Sequence, residues 1–374
     1  MRFYDLTLRN SQGQVLQATS AGLAPGGTGP TFSSRVSQNG QYINNPGALN
    51  IELDIPLAGW ALPQGNSFIR LSGIGIRSIG QGSNLNSNPD AGQPGATFIL
   101  AGGMMKGLPL ANPAQAGILA QGQIFSAYGN WQGTEQSLDL NLIPATVDPP
   151  NGISFIWSPH QDLAQALSNS FAVAFPDLKT RNADGSSTIT IQPGMLQSQS
   201  SQNVVGWYEN LAQFASYILD LTIPLGQALT GNKAYPGVII GIKGNQIYAT
   251  DATQNPRTVA LQFQDLIGQP TWINIATISF KCVLRADIQI GDMVTMPPDP
   301  GGGTSIISAL ALTQQGSGIP GAPARNSSIF KGKFFVNEVH HFGNLRQPDA
   351  DSWATAFTAV ATGPNSPNAG LAPG

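Results

Sequence analysis

The chain has 374 residues, 41% hydrophobic and only 10% charged, with a formal net charge of -3. The charged fraction is far below the roughly 25% of an ordinary soluble domain, and no cluster of Lys and Arg supplies the basic footprint of a nucleic-acid binder. One cysteine, Cys282, excludes a disulfide within the chain, and no run approaches the roughly 18 apolar residues of a membrane helix.

A chain of this length predicts two to four compact units. Its 44 glycines and 28 prolines suit many short strands joined by turns. A surface so poor in charge is a solubility risk for a free monomer, and burial against partner chains resolves it. The N-terminal stretch Met1–Leu8 alternates and carries Asp5, unlike the apolar core of a signal peptide, which predicts a protein made and kept in a cytoplasm.

Residues 1–155 read as a first β-rich domain. Phe3–Leu8 alternates, Ser11-Gln-Gly13 signals a turn, and Gln14–Ala18 predicts the returning strand of a hairpin. Residues 19–31 read as a Gly/Pro-rich loop. Leu49–Ile55 has a strict period of two, with Pro56 ending the strand or marking an edge. Ser67–Ile79 reads as a β segment broken by Gly73 and Gly75. Strands follow at Thr97–Leu100, Gly117–Ala127 and Ser137–Ile143.

Residues 156–235 read as a small α/β domain. Ser158-Pro159-His160-Gln161 has the pattern of a capping box, and Leu163, Leu167 and Phe171 form one apolar stripe of a helix stopped by Pro176. Ser187–Ile191 predicts a short strand. A second helix over Glu209–Leu219 places Leu211, Phe214, Ala215 and Ile218 on one face.

Residues 236–300 return to β as a small barrel, with strands expected at 237–243, 246–250, 257–263 and 273–284, and a Gly291-Asp292 turn within 286–296. Residues 301–328 read as a Gly/Pro-rich loop, which the composition begins at Pro297. Residues 329–361 read as a C-terminal hairpin of two long strands that completes a barrel, and 362–374 as a flexible tail.

The chemistry-bearing residues give no catalytic, cofactor or metal set. Gly73-Ile-Gly75-Ile-Arg-Ser-Ile-Gly80 has its third glycine misplaced for a dinucleotide loop, and β-like residues follow where a helix should begin. His340 and His341 are strand neighbours that point to opposite faces, and His160 is the only other histidine. Cys282 reads as a small buried hydrophobe. Glu52 and Asp54 share the polar face of one strand, more a solvated face than an acid/base pair. Tyr128, Trp131 and Trp353 are core or interface aromatics before they are sugar platforms.

An ordered series of segments carries a resemblance. It runs through Gly29–Ser34, Asn45–Glu52, Gly107–Gly117, Gly129–Gly133, Phe263–Trp272, Arg285–Asp292 and Phe335–Trp353. This series resembles the hub family of contractile phage tails, including the Mu-like hubs, over about residues 2 to 360. The resemblance implies a mainly β fold with two tube-protein-like barrels, a smaller inserted α/β domain, and C-terminal strands free to complete an earlier barrel. It also implies a homotrimeric ring that imitates sixfold symmetry, joins the tail tube or a distal tube-initiator protein to a central spike, and touches other baseplate proteins. DNA is then only passing cargo, no membrane is engaged, and the protein resides in the virion after assembly in the host cytoplasm. The competing readings are another tail, tube or secretion-system component, and a tail-carried cell-wall hydrolase using Glu52 or Asp54.

Overall fold

The computed structural model describes residues 1–58, 67–86, 96–105, 112–143, 151–175, 189–191, 199–231, 235–243, 246–251, 257–273, 277–297, 330 and 332–362. The expected loop at 301–328, the tail from 363 and Pro176 lie outside them. The chain is mainly β with a small α/β unit, as the sequence predicts.

Strand β1 (Arg2–Arg9) buries Tyr4, Leu6 and Leu8 on one face. The turn after it is closed by Asn10, whose Oδ1 accepts the backbone N–H groups of Gln12 (3.1 Å) and Gln14 (2.9 Å). The returning chain meets β1 only at the Arg9–Val15 bridge. Strand β2 (Leu16–Thr19) pairs instead with β3 (Gly22–Pro25), inside the segment expected to be loop. The partners of β1 are β4 (Phe32–Ser33) and, along its whole length, β9 (Thr97–Met104). Local pattern predicts a hairpin, but the long-range ladder with β9 buries more of the apolar face of β1. Strands β5 (Arg35–Gln38) and β6 (Gln41–Asn44) form a separate exposed hairpin.

Strand β7 (Asn50–Ala58) runs through Pro56. Ile51 directs its carbonyl at Leu345, so by alternation Pro56 directs its nitrogen to the other side, where pairing with β8 (Ser67–Ser72) has already stopped at Asp54. Among the described residues a proline costs no ladder bond there. After β8 comes a correction. Gly73, at φ 85°, turns the chain into a short helix α1 (Ile76–Gly80), not further strand. Strands β10 (Gly117–Gln132) and β11 (Glu135–Ile143) complete the first β unit, whose core includes Leu6, Ile51, Leu71, Phe98, Leu138 and Leu140.

The α/β unit contains β12 (Ile153–Trp157), α2 (Leu163–Ala174), β13 (Ile189–Ile191), β14 (Val204–Tyr208), α3 (Leu211–Thr230), β15 (Ile239–Lys243) and β16 (Gln246–Thr250). Phe155, Phe171 and Phe214 meet at ring distances of 5.3 and 5.8 Å in its centre. The stripes Leu163–Leu167–Phe171 and Leu211–Phe214–Ala215–Ile218 are buried, as their spacing predicts.

Helix α2 begins later than expected. Gln161 does reach back to the Ser158 N–H (3.1 Å), but His160 sits at φ 62° and bridges hold Pro159 to Ser200 and Asp162 to Gln199, so the helix opens only at Leu163. Helix α3 runs past its expected end and through Pro224. Asn210 caps its start by accepting from the Gln213 N–H (2.9 Å), and Gly231 ends it at φ 67°. The unit also extends beyond the boundary expected at 235, because Val238, Ile240, Ile247 and Ala249 lie in its core and not in a second barrel.

The remaining strands are β17 (Thr258–Ala260), β18 (Thr271–Trp272), β19 (Thr277–Val283), β20 (Met293–Thr295), β21 (Lys333–Asn344) and β22 (Trp353–Thr362). Their core centres on Phe280, Val294, Phe334, Val339 and Phe357. Among the described residues they do not close into a barrel of their own. Strand β21 pairs with β7 from Glu338 against Ala58 to Asn344 against Glu52, so both β units belong to one 13-stranded sheet in the order β18-β19-β22-β21-β7-β8-β11-β10-β9-β1-β4, with β20 on β21 and β17 on β20. The two expected barrels are thus two halves of one continuous sheet, and among the described residues neither half closes by hydrogen bonds.

Candidate functional site

Cross-strand register keeps the same side chains on the same face through the join. One face carries inner rows such as Phe280–Phe357–Val339–Leu57 and Leu53–Ile69–Leu140–Ala127. The other face carries rows of mixed polar, small and aromatic side chains. These are Ser279–Thr358–Glu338, then Lys281–Ala356–His340–Pro56, then Val283–Ala354–Phe342–Asp54–Phe68–Asn141–Ser126, then Asn344–Glu52–Arg70–Asp139–Tyr128. This open face spans seven strands drawn from both β units. At one end it is covered by the α/β unit, where Leu219 and Ile239 pack on Met293 and Phe335.

The charges on this face are engaged. Arg70 donates to Asp139 (2.7 Å) and lies 3.6 Å from Glu52, a ladder across three strands. His340 contacts Asp54 across the β7–β21 join. Lys281 stands 5.7 Å over the Phe342 ring. Glu52 and Asp54, the carboxylate pair of the sequence reading, thus each meet a different side chain, Arg70 and His340.

Beneath the open face, a buried polar network ties the two β units together. Arg285 is 3% exposed and makes a two-pronged bond to Asp287 (2.7 and 2.7 Å), with Asp265 at 3.2 Å. Asp265 also accepts from the Gln115 side chain of the first unit (2.8 Å), while Ala286 donates to the Gln115 carbonyl (2.8 Å). Thr355 Oγ1 accepts from the Arg285 N–H (3.1 Å) and meets His341 Nδ1 at 3.0 Å. Sequence pattern gave no warning of this cluster, whose members are separated by up to 240 positions; only Arg285-Ala-Asp287 is local.

An arginine, two aspartates, a histidine, a threonine and a nearby cysteine resemble catalytic equipment by inventory, yet their chemistry opposes it. Burial pushes the Cys282 thiol up to about 12, so the thiolate is suppressed. Burial, then the neighbouring His340, push His341 down to about 3, so it is neutral across the working range. Both side chains are shielded from solvent.

The other singled-out residues separate in the same way. His340 and His341 lie on opposite faces, as strand geometry predicts. Trp353 is 1% exposed, fills the first core and donates its indole N–H to the Gly103 carbonyl (3.2 Å), so it is no sugar platform. Gly103 sits at φ 146°, and a Cβ there would lie 2.8 Å from that of Ala116, so only glycine fits. Tyr128 and Trp131 are exposed on β10. The glycines at 73 and 75 do precede a helix, contrary to expectation, but α1 is a five-residue turn packed on the sheet. Among the described residues no group of three His, Cys, Asp or Glu side chains could hold a metal ion, and no helix is long and apolar enough to cross a membrane.

No protein-family model matches the chain, and no curated protein matches it in sequence. Solved structures similar to this chain include three tail-related proteins. One is a type VI secretion system component of E. coli, itself described as structurally similar to T4 bacteriophage tail proteins, at 11% identity and a TM-score of 0.42, covering 84% of this chain and 73% of that one. The second is a tail protein from Neisseria meningitidis, at 9% identity and a TM-score of 0.44, covering 96% of each chain. The third is a prophage tail protein from Shewanella oneidensis, at 7% identity and a TM-score of 0.45, again covering 96% of each chain.

Proposed function

We propose that the chain is a structural hub of a contractile tail: three copies form a ring with pseudo-sixfold symmetry that joins the tail tube to a central spike and continues the DNA channel. The observation that carries this reading is the single sheet shared by two β units of one chain. A chain that supplies two sheet-bearing units, locked together by the β7–β21 pairing and the Arg285 network, suits a ring in which three chains stand in for six positions. The ordered segments that resemble the hub family supply the partners: the spike below, the tube or tube-initiator protein above, and other baseplate proteins around. The role is mechanical, DNA is cargo in transit, and the working location is the virion.

Mass by light scattering tests it, across a range of protein concentration and with a candidate spike added. A species of three times 39.1 kDa, formed alone or on addition of spike, is the expected result. A hexamer points instead to a tube or distal tail protein, and a monomer indifferent to spike removes the hub reading.

A further inference from the structure

The sequence contains two Asn-Gly pairs, Asn39-Gly40 and Asn151-Gly152, and the fold surrounds them differently. A glycine has no Cβ to shield its backbone nitrogen, so that nitrogen can reach the side-chain amide carbon of a preceding asparagine. Asn39 and Gly40 are the two central residues of the β5–β6 turn, at φ 50° and 76°, between the paired Gln38 and Gln41. Both are exposed, and a Cβ on Gly40 would meet nothing within 4 Å. Among the described residues the Asn39 side chain makes no hydrogen bond. Asn151 stands just before β12 in closer quarters. Its carbonyl accepts the Trp207 indole N–H (3.1 Å), and a Cβ on Gly152 would lie 2.7 Å from both the Trp207 ring and the Tyr208 carbonyl oxygen. The second pair is clamped against β14, while the first stands in solvent.

We propose that Asn39 is a site of spontaneous deamidation, gated by opening of the β5–β6 hairpin. The Gly40 backbone nitrogen gives up its proton to solvent and attacks Asn39 Cγ. The new N–Cγ bond closes a succinimide ring, and the side-chain amide leaves as ammonia. Water then opens the ring at either carbonyl, leaving aspartate or isoaspartate. In the closed turn a left-handed Asn39 holds the Gly40 nitrogen on the side away from its own Cβ, so the ring closes only when the turn opens. The hairpin supplies that opening. Its two strands pair with no third among the described residues, a form marginal in water, and residues 36–44 are all exposed. Its base is anchored by Arg35, whose guanidinium lies 3.8 Å from the Phe3 ring and 4.1 Å from the Tyr42 ring and donates to Asp5 (3.0 Å).

The conversion is permanent. The isoaspartyl product routes the main chain through Cβ and Cγ, which adds an atom to the loop and removes the two-residue geometry that sets Gln38 opposite Gln41. Either product places a carboxylate at the hairpin tip and makes the formal net charge one unit more negative than -3. The proposal stands apart from the hub reading, because it needs only the hairpin and the solvent.

The test is peptide mapping by mass spectrometry on the purified full chain, sampled over days at mildly alkaline pH. The Asn39 peptide should gain the mass of an amide-to-acid conversion, with part of the product methylated by an isoaspartyl methyltransferase. In the native chain it should convert roughly tenfold or more faster than the Asn151 peptide, and in denaturant the two should convert alike. Arg35→Ala, which frees the base of the hairpin, should speed conversion of Asn39 at least about twofold and leave Asn151 unchanged. An intact Asn39, or equal native rates at Asn39 and Asn151, overturns the site. The same preference for Asn39 in denaturant overturns the role of the fold, and an Arg35→Ala rate equal to wild type overturns the gating by hairpin opening.

Discussion

At the scale of single residues, the side chains that matter most are those that belong to two parts of the molecule at once. Trp353 enters from the C-terminal hairpin, fills the core of the first β unit and bonds Gly103. Its replacement by alanine removes a large fully buried side chain and should cost about 3–5 kcal/mol, read as a lower urea midpoint with the slope unchanged. His341 makes a second, pH-dependent prediction. Its ordinary value is near 6.5 and burial holds it at about 3 in the fold, so below pH 6.5 the unfolded chain takes up a proton that the native chain refuses. Its contribution is complete above pH 6.5 and is lost as pH falls from there toward 3, at up to about 1.4 kcal/mol per pH unit. His341→Gln should flatten the stability profile in that window relative to wild type. Parallel profiles for the two proteins would show that the imidazole is not shielded as described.

At the scale of elements, the sequence speaks clearly where a strand or helix is specified by its own period. Ile51–Ile55, Leu138–Leu142 and the two helical stripes bury the residues their spacing selects, and Leu49 is partly buried. It misleads where a distant segment competes with a local one. Gln14–Ala18 has the pattern of a partner for β1, but β9 offers a full-length ladder. The helix at Ile76–Gly80 is invisible to a reading that weighs Ile76 and Ile79 as β-branched, since tertiary packing on the sheet overrides their preference. The β7–β21 join is invisible for another reason: both strands alternate cleanly, and alternation says which face is buried but not which strand lies alongside. A chain ending at residue 330 tests the join. It deprives β7 of its partner and the first core of Trp353, and should lose its cooperative unfolding transition, followed by circular dichroism during thermal melting. A truncated chain that still melts sharply at the wild-type temperature would mean the first unit is complete without the hairpin.

At the scale of the whole molecule, the pattern of ties predicts how the protein comes apart. The two β units share a sheet, the buried Arg285 network and Trp353, and removing one partner of such a buried ion set costs about 3–5 kcal/mol. The α/β unit has a core of its own and meets the sheet through a small apolar cluster of Leu219, Ile239, Met293 and Phe335. Cooperative units follow the density of such contacts. The two β units should therefore open as one block and the α/β unit as another. Hydrogen exchange followed by mass spectrometry is the direct measurement, because it reports each segment separately. Backbone amides of β9, β7, β21 and β19 should share one opening free energy, and those of α2 and α3 another. Asp265→Ala strips Arg285 of a buried partner and breaks the bond to Gln115, so it should lower protection in β9 and β19 together while leaving α2 unchanged. If β9 and β19 respond independently, the two halves are separate domains that merely touch, and the rigid two-unit subunit that the proposed ring requires is lost with them.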